Sequence, residues 1–415
     1  MTKIAVIGLG YIGLPTAAVL ALRGFDVLGV DVSQEVVDTL KQGKIHIVEP
    51  DLDVSVAAAI KSGALQVNTQ VAKADVFIIA VPTPFTDTKK PDLTYVEAAT
   101  RDIAIHLQPG NLVILESTSP VGTTKKVSEW IAEERIDLEL PHQNASNPNI
   151  NVAHCPERIL PGRIMTELVD NDRIIGGLSL ACTKKSIAFY QQFVRGECLP
   201  TDAATAEMAK LTENSFRDVN IAFANELSML AEKNGVNVWE LVRLANHHPR
   251  VNILNPGPGV GGHCIAVDPW FLVDADPEQA RLIKTAREVN DSKPDFVIEQ
   301  VKRAVAGIEN PHIGCLGLAF KAGVDDLRES PAVQICQALA DIDNAVISAV
   351  EPHIHELPNS FNTYPNIRLT DTDAAIRAAD ILVLLVDHRQ FRDVPTLFDL
   401  NRVRVIDTRG QWINT

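Results

Sequence analysis

The sequence predicts an α/β protein with two doubly wound parallel-sheet domains joined by a central helical segment that contains one long helix. Two observations predict the sheets: short apolar runs alternate with helical patterns near the start of the chain, and a similar series follows beyond about residue 310. Strands that are apolar on both sides are typical of parallel sheets covered by helices on both faces. The third observation predicts the helix, because residues 203–234 contain neither Gly nor Pro.

The two sheet-forming series follow the same order. The first has strand-like runs at 4–7, 27–30, 76–81 and 112–115, with helical patterns up to residue 22 and at 95–107. The second has matching runs at 313–316, 346–350, 381–386 and 404–407, and Glu351 follows its second run as Asp31 follows that of the first. We therefore expect related α/β domains at 1–195 and 306–415, with a central helical domain at 196–305.

Composition and charge exclude several classes of protein. The chain of 415 residues is 46% hydrophobic and 22% charged, as in soluble globular proteins. A net charge of −15 argues against nucleic acid or an anionic membrane surface as a partner. The sequence has no secretory pattern and no apolar stretch of membrane-spanning length. Six scattered cysteines without a C-x-x-C pair predict reduced thiols, so we expect a cytoplasmic protein with no metal site.

The long helix has two contrasting faces, and Gly235 is placed to end it. Apolar side chains cluster on one face: Met208, Val219, Phe223, Leu227 and Leu230. Lys210, Asn214 and Arg217 lie nearly opposite. An apolar face of this length predicts burial against a second subunit or the flanking domains. The polar stripe, taken alone, is typical of a solvated face.

The first strand leads into a glycine motif, Gly8-Leu9-Gly10-Tyr11-Ile12-Gly13, that opens a helix. Gly8 allows the tight turn, Gly10 lets backbone approach a pyrophosphate, and Gly13 allows close helix–strand packing. Asp31 ends the next strand, where a carboxylate would accept hydrogen bonds from a ribose 2′-hydroxyl. Because no Arg follows it, the motif favours NAD over NADP and predicts a Rossmann-like domain.

Two polar turns and one glycine-rich loop complete the motifs. The turns Val81–Pro84 and Glu116–Pro120 end predicted strands, where their hydroxyls would line a nicotinamide unless they are ordinary turns. The loop at 256–263 exposes backbone amides to a ligand, and Cys264 directly beyond it is placed as a thiolate nucleophile. The alternative is a cysteine that only packs. His263 and Cys264 are adjacent without a second pair, which disfavours a metal site.

The chain resembles the UDP-glucose/GDP-mannose dehydrogenase family over essentially its whole length. The motifs that carry this resemblance are GLGYIGLP at 8–15, the VPTP and ESTSPVG turns, CPER at 155–158, KLTENSFRDVNIAFANE at 210–226, GVGGHCIAVDP at 259–269 and GLAFKAGVDDLRESP at 317–331. The resemblance implies oxidation of the C-6 alcohol of a nucleotide sugar to a carboxylate with two NAD⁺. Residues 247–252 and 262–264 are similar to the branch that acts on UDP-N-acetyl-D-mannosamine, although Ile265-Ala266-Val267 departs from its pattern.

The resemblance also implies roles for individual residues. Cys264 would form a thiohemiacetal and then a thioester, with Lys210 and Asn214 stabilising the oxyanion, Asp268 orienting or activating water and Glu157 assisting proton transfer or hydrolysis. The cofactor would be bound by Gly8, Gly10, Tyr11, Ile12, Gly13, Asp31, Thr83, Thr118, Thr124 and Arg328. The UDP-sugar would be bound by Arg158, Ile159, Lys210, Asn214, Arg217, His248, Arg250, Gly261 and Lys321.

Other functions compete with this hypothesis. The same chemistry on UDP-glucose or UDP-N-acetylglucosamine is the first alternative, and a two-electron hydroxyacid-type dehydrogenase is the second. The latter class uses a helix Lys and needs no Cys after the glycine loop, so Cys264 discriminates against it. A catalytically inactive NAD- or sugar-binding regulator is the third. The family resemblance further implies a homodimer or higher homo-oligomer, and a product used in surface polysaccharide synthesis.

Overall fold

The computed structural model describes residues 2–159 and 162–412, and the chain forms two compact units, 1–213 and 214–415. The predicted class, with a parallel-stranded sheet near each end and a long helix between them in sequence, is confirmed. The finer division at 1–195, 196–305 and 306–415 stays a prediction. Among the described residues, no helix combines the length and apolar character needed to cross a membrane.

The first unit alternates strands with helices. Its strands are β1 (Lys3–Ile7), β2 (Asp26–Val30), β3 (Leu65–Asn68), β4 (Val76–Ile79), β5 (Leu112–Leu115), β6 (Asn151–His154), β7 (Arg173–Gly177) and β8 (Cys198–Asp202). Its helices are α1 (Gly13–Leu22), α2 (Gln34–Lys41), α3 (Leu52–Ser62), α4 (Thr94–Ala104), α5 (Thr123–Glu134), α6 (Ile164–Asp170) and α7 (Leu180–Tyr190). The strand within the predicted run at 76–81 ends at Ile79, two residues early.

These strands form one eight-stranded sheet in the order β3-β2-β1-β4-β5-β6-β7-β8. All neighbouring strands are parallel except β6 and β7, which are antiparallel. Separate apolar clusters contain inward-facing residues of the two sheet faces, such as Ile4 and Val6 on one and Ala5 and Ile7 on the other. The carboxyl ends of β1, β2, β4, β5 and β6 therefore share one edge, where ligands bind in such sheets.

The long helix α8 (Ala203–Lys233) is confirmed to within one residue of its predicted end. Asp202 caps its start, because its carboxylate accepts hydrogen bonds from the Thr205 amide at 2.9 Å and hydroxyl at 2.7 Å. Gly235 follows its end with φ +65°, a left-handed conformation that favours glycine. The boundary between the two compact units falls inside this helix.

The second unit combines helices with a smaller sheet. Its helices after α8 are α9 (Val238–Ala245), α10 (Asp268–Ala275), α11 (Arg281–Val305), α12 (Pro331–Leu339), α13 (Thr372–Ala378) and α14 (Val394–Leu397). Its strands are β9 (His312–Leu316), β10 (Val346–Val350), β11 (Ile367–Leu369), β12 (Ile381–Leu384) and β13 (Arg404–Asp407). Short 3-10 turns occupy Asn359–Phe361, Arg389–Phe391 and Leu400–Arg402.

The second sheet is wholly parallel, with the order β11-β10-β9-β12-β13. This order corresponds to β3-β2-β1-β4-β5 of the first sheet, as the paired runs in the sequence predicted. Its two faces are covered by separate apolar clusters, one of which includes residues of α11 and α12. The motifs of the sequence therefore lie on loops and helix ends around two sheets of related topology, except the motif at 210–226, which lies within α8.

Candidate active site

The glycine turn after β1 has the conformation that its sequence requires. Gly8 has φ +90°, and a Cβ there would lie 2.6 Å from the carbonyl oxygen of Ala80. A Cβ at Gly13 would lie 1.8 Å from the carbonyl oxygen of Gly8, so both positions need glycine to close the turn. A Cβ at Gly10 would meet nothing within 4 Å. Gly10 therefore keeps space open beside the N-terminus of α1, where a phosphate is stabilised by the helix dipole.

Asp31 follows β2 and lies beside this turn. Its carboxylate accepts hydrogen bonds from the amides of Leu9 and Ser33, each at 2.9 Å. These bonds fix the side chain while leaving it half-buried. Tyr11 and Ile12, the other predicted cofactor residues of the turn, are partly buried between Gly10 and α1.

The polar turns after β4 and β5 lie against each other. The Thr83 hydroxyl donates to the carbonyl oxygen of Thr118 at 2.5 Å, and the Ser117 hydroxyl donates to that of Val81 at 2.7 Å. The structure therefore brings Thr83 and Thr118 together at the carboxyl edge of the sheet.

Thr124, the third predicted cofactor threonine, has a different environment. Glu207 of α8 accepts hydrogen bonds from the Thr124 hydroxyl at 2.6 Å, the Thr124 amide at 2.7 Å and the Gly122 amide at 2.6 Å. Burial raises the pKa of Glu207, and these hydrogen bonds oppose the rise. Glu207 thus caps α5, a role that sequence analysis missed because nothing local links positions 83 residues apart.

Glu157 and Lys210 are both buried in the first unit. Burial raises the pKa of Glu157 to about 7, and the positive charges of Lys210 and Arg173 partly oppose this rise. The Ile159 amide donates a hydrogen bond to Glu157, which fixes its carboxylate within the CPER loop. A carboxyl that titrates near neutrality is suited to both donating and accepting protons.

Arg158, next to Glu157, contacts two other segments of the first unit. Its guanidinium forms an ion pair with Glu213 at 2.8 Å and donates to the carbonyl oxygen of Asp172 at 3.1 Å. Another carboxylate, Glu49, accepts from the amides of Gly162 and Ile164 at 2.7 and 2.8 Å and so fixes the far side of the same loop. Sequence analysis missed Glu49, since an isolated acid carries no signal of a distant partner.

Gly261 and Gly262 of the glycine-rich loop in the second unit have no space for a side chain. A Cβ at Gly261 would lie 2.4 Å from the carbonyl oxygen of Glu329, and one at Gly262 would lie 2.8 Å from the Phe320 ring. Gly262 also has φ +83°. The loop is therefore pressed against the segment that follows β9, and its glycines are required by this contact as well as by any ligand.

A buried hydrogen-bond network holds both ends of this loop. At one end the Asn225 side chain accepts from the Gly257 amide at 2.8 Å. At the other, Arg287 donates to the carbonyl oxygen of Ile265 at 3.5 Å. The two are connected inside the protein, because Asn225 bonds to Asn290 at 2.9 Å, Asn290 to Asp218 at 2.8 Å and Asp218 to Arg287 at 2.6 Å. Helices α8 and α11 thus fix the segment that carries Cys264.

Cys264 itself is half-buried and has an imidazole neighbour. Its Sγ lies 3.1 Å from His263 Nδ1. Its carbonyl oxygen accepts from the amides of Val267 and Asp268 at 3.0 and 2.8 Å, which closes the turn into α10. Asp268 is buried and accepts a hydrogen bond from the Asn214 amide group. The structure therefore brings Asn214 and Asp268 together at the end of the turn that carries the thiol.

The remaining predicted residues of the second unit have exposed basic side chains. Arg328 forms an ion pair with Asp326 at 2.6 Å, while its carbonyl oxygen accepts from the Gly262 amide at 3.2 Å. His248 Nδ1 accepts from the Arg250 amide at 3.3 Å. Arg217, His248, Arg250, Lys321 and Arg328 are all exposed. The convergence of the predicted residues of both units into one catalytic site stays a prediction.

Three family models match consecutive parts of the chain. All belong to the UDP-glucose/GDP-mannose dehydrogenase family: the NAD binding domain matches residues 2–194, the central domain 204–292 and the UDP binding domain 314–414. Together they extend over most of the sequence.

Named relatives and a solved structure are similar over nearly the full length. An NDP-N-acetyl-D-galactosaminuronic acid dehydrogenase of Ralstonia nicotianae is 59% identical, over 99% of this chain and 96% of the relative. A UDP-N-acetyl-D-mannosamine dehydrogenase of Escherichia coli is 55% identical, over 99% of each chain. The structure of a UDP-N-acetyl-mannosamine dehydrogenase of Staphylococcus aureus has a TM-score of 0.87 at 40% identity, over 99% of this chain and 95% of that one.

Proposed function

The chain belongs to the UDP-glucose/GDP-mannose dehydrogenase family and is an NAD-dependent nucleotide-sugar dehydrogenase; from this premise we propose that it oxidises UDP-N-acetyl-D-mannosamine to the uronate. The proposed reaction removes four electrons from C-6 through a covalent intermediate on Cys264. The observation that carries it is the turn at Cys264, whose thiol lies beside an imidazole and whose carbonyl oxygen accepts from the amide of Asp268, the partner of Asn214.

The first unit fits NAD by its own geometry. Gly10 leaves space at the N-terminus of α1 for a pyrophosphate, and the Asp31 carboxylate is positioned for a ribose hydroxyl. NAD⁺, when bound, accepts a hydride in each oxidation. Thr83 and Thr118 line the nicotinamide side in this proposal, and Thr124 and Arg328 are further cofactor-binding residues.

The chain's own residues carry the chemistry between the two oxidations. The Cys264 thiolate attacks the aldehyde carbon, a C–S bond forms, and the carbonyl electron pair moves to oxygen. Lys210 and Asn214 donate hydrogen bonds to that oxygen as its charge develops. Loss of the C-6 hydride gives a thioester, whose C–S bond breaks when water, oriented by Asp268, adds to the carbon.

Glu157 transfers protons in these steps. With a pKa near 7, it is present in both protonation states at neutral pH and accepts or donates without a large energetic cost. Its burial beside Lys210 supports this role, because the charged and neutral forms of the carboxyl differ in how they interact with the ammonium group.

The sugar is the finer part of the proposal. The relative from Escherichia coli supports N-acetylmannosamine, and the relative from Ralstonia nicotianae supports a second candidate, the N-acetylgalactosamine sugar. The two phosphates of either UDP-sugar would be bound by exposed cations of the chain. The proposed substrate-binding residues are Arg158, Ile159, Lys210, Asn214, Arg217, His248, Arg250, Gly261 and Lys321.

A substrate panel tests the sugar. NADH formation is measured with UDP-N-acetyl-D-mannosamine, UDP-N-acetylgalactosamine, UDP-N-acetylglucosamine and UDP-glucose at equal concentrations. We expect the highest kcat/KM with the mannosamine compound. If kcat/KM with another of these UDP-sugars is tenfold higher, that compound is the substrate. If none of them supports NADH formation, the proposed function is refuted.

The covalent step is tested with Cys264→Ser and the matched control Cys198→Ser, which alters the other half-buried cysteine. A hydroxyl is a far weaker nucleophile than a thiolate, so we expect Cys264→Ser to lose activity by about 10⁴-fold or more. The variant should still bind NAD⁺, and mass spectrometry should detect any ester-linked sugar that accumulates. Turnover near the wild-type rate would exclude the thioester route.

We also propose that the protein is a dimer or higher homo-oligomer. Helix α8 carries three large exposed apolar side chains seven residues apart, Phe216, Phe223 and Leu230, with exposures of 71%, 55% and 49%. Such a stripe is typical of a helix face covered by another chain. In this assembly Arg250 reaches the partner's substrate. Light scattering at micromolar concentration should give at least twice the 45.2 kDa chain mass, and a fully active monomer would contradict the proposal.

A further inference from the structure

The contact between Cys264 and its neighbour His263 gives the thiol a base of its own. Sγ lies 3.1 Å from Nδ1, within hydrogen-bond range for sulfur. Nδ1 accepts a proton from the thiol in the tautomer that carries hydrogen on Nε2. We propose that His263 is the catalytic base that deprotonates Cys264, an inference that rests on the proposed function.

The local backbone explains how adjacent side chains face each other. Side chains of consecutive residues in extended backbone point in opposite directions. Here Gly262 takes a left-handed conformation, with φ +83°, immediately before His263. The carbonyl oxygen of Cys264 then accepts two amide protons at the start of α10. The chain bends through residues 262–264 instead of running extended, and the Sγ–Nδ1 distance of 3.1 Å shows that the thiol and the imidazole lie on the same side.

The loop that holds this pair is fixed from behind. The Gly262 amide donates to the carbonyl oxygen of Arg328 at 3.2 Å, and the Phe320 ring occupies the space that a Gly262 side chain would take. These contacts restrict the position of His263 before substrate binds. Preorganisation of a nucleophile and its base avoids reorganisation during the reaction.

A charged group of the second unit, Asp326, interacts electrostatically with His263. Burial opposes ionisation of Asp326, but hydrogen bonds from Arg328 and the charges of Arg328 and His263 lower the pKa of that carboxyl below its usual value. Asp326 therefore interacts electrostatically with His263 while it is ion-paired with Arg328 at 2.6 Å. Asp268, in the turn that follows, is hydrogen-bonded by Asn214.

The proposed step is balanced within the chain and the substrate. The S–H bond of Cys264 breaks and its proton moves to Nδ1, which leaves a thiolate and an imidazolium. The thiolate forms the C–S bond with the aldehyde carbon, and the carbonyl electron pair moves to oxygen. The imidazolium then returns the proton to that oxygen, so the thiohemiacetal forms with no net change in charge. No oxidant enters this step.

The test is the pH dependence of Cys264 alkylation, measured peptide by peptide with iodoacetamide and mass spectrometry between pH 5 and 10. In the wild type we expect thiolate reactivity to begin well below the pKa of about 8.5 of a free thiol. In His263→Asn the alkylation profile should move up towards that value, and kcat should fall about 100-fold. The affinity for NAD⁺ should not change.

Two controls separate a local effect from unfolding. His247→Asn alters an exposed histidine that has no assigned role, and it should leave the profile of Cys264 unchanged. Alkylation of Cys198 should be the same in every variant. The four buried cysteines should remain protected if His263→Asn is folded: Cys155, Cys182, Cys315 and Cys336. If it does not fold, His263→Gln is used in its place.

The outcomes distinguish this inference from the proposed function. An alkylation profile that is identical in His263→Asn and the wild type overturns the role of His263, because the readout needs no sugar. A shifted profile with unchanged kcat also overturns it as a catalytic base. By contrast, failure of the proposed function appears in the wild type alone, as absence of NADH formation with every UDP-sugar.

Discussion

The second sheet repeats the order of five neighbouring strands of the first sheet, but the carboxylates that follow the equivalent strands have different environments. In the first sheet Asp31 follows β2, is half-buried, and accepts two backbone amides at 2.9 Å. In the second, Glu351 follows β10 at the corresponding place and is buried. One of its oxygens accepts from the amides of Leu318 and Ala319 at 2.8 and 2.9 Å and also contacts His388 at 3.0 Å. Asp31 therefore remains accessible to a ligand, while the carboxylate of Glu351 is buried and hydrogen-bonded by groups of the protein itself.

The turns that precede these carboxylates differ in the same sense. Gly8 and Gly317 both have positive φ at the end of the first strand of their sheets. In the first sheet the helix α1 begins at Gly13, soon after the turn, but in the second sheet the chain reaches α12 only at Pro331. Equal topology therefore does not create equal sites, because a dinucleotide site also needs a helix N-terminus and a free carboxylate.

The buried group around Glu351 is better explained as a structural pair than as a metal site. Glu351, His353 and His388 have possible ligand atoms within 4.8 Å of one another. However, the Gly323 amide donates to His388 Nδ1 at 3.2 Å, so Nε2 carries the proton and faces Glu351 as a donor. In that tautomer His388 stabilises the turn and offers no lone pair to a metal.

The largest expected effect that tests this comparison comes from Gly10→Ala. The added Cβ meets no protein atom within 4 Å, so thermal stability should hardly change. It does enter the space assigned to the pyrophosphate, and the Kd for NAD⁺ should rise about 10- to 100-fold. Calorimetric titration measures this change. The matched variant Ala319→Gly in the second sheet should create no second NAD⁺ site, and unchanged affinity in Gly10→Ala would break the comparison.

The two carboxylates should respond differently to removal of charge. Asp31→Ala should reduce the preference for NAD⁺ over NADP⁺ about tenfold, because the carboxylate that repels a 2′-phosphate is lost. Glu351→Gln should leave cofactor preference unchanged but lower the free energy of unfolding by about 1–3 kcal/mol, since a buried acceptor is lost. Kinetics with both cofactors and urea unfolding measure the two effects. A change of cofactor preference in Glu351→Gln would contradict the account.

The pH dependence of stability should have opposite signs at two buried carboxyls. Burial raises the pKa of Glu157 from 4.5 to about 7, so the folded state holds a proton that the unfolded chain has lost. Its contribution to stability therefore falls as pH rises from about 4.5 to 7. Burial opposes ionisation of Glu351 too, but the hydrogen bond from His388 and the bonds from the amides of Leu318 and Ala319 lower its pKa. Its contribution is lost as pH falls through that lowered value.

Urea unfolding between pH 3 and 8 measures both trends. Glu157→Gln should remove the decline in the free energy of unfolding between pH 4.5 and 7. Glu351→Gln should reduce the loss of that free energy as the pH falls. The exposed acid Glu35 provides the control, because Glu35→Gln should change neither trend. A wild-type-like decline in Glu157→Gln would show that another group causes it.

Much of the fold could be predicted because its signals are local. Apolar runs identify β5 and β10 to the residue, the match to the first series of runs identifies β13, and the absence of Gly and Pro identifies α8. Pattern alone did not identify β7, whose five residues end in two glycines and run antiparallel to β6. It also did not bound α11, because Pro294 lies within that helix and proline is disfavoured there.

The candidate site divides in the same way. The glycine motif, Asp31 and Cys264 are recognisable because their chemistry depends on spacing along the chain. The bond of Glu207 to Thr124 and the bond of Asn225 to Gly257 join distant positions, so no local pattern could reveal them. His263 was visible in the sequence but was weighed only as a metal ligand. Its contact with Cys264 depends on the bent backbone of residues 262–264, which no pattern in the sequence indicates.

The count of NADH per sugar tests the central claim most directly. A limiting amount of UDP-N-acetyl-D-mannosamine is converted to completion with excess NAD⁺, and NADH and uronate are measured together with semicarbazide present to trap free aldehyde. A covalent intermediate on Cys264 predicts two NADH for each uronate and no trapped aldehyde. One NADH for each sugar, with the aldehyde recovered as its semicarbazone, would contradict the four-electron reaction on a single site.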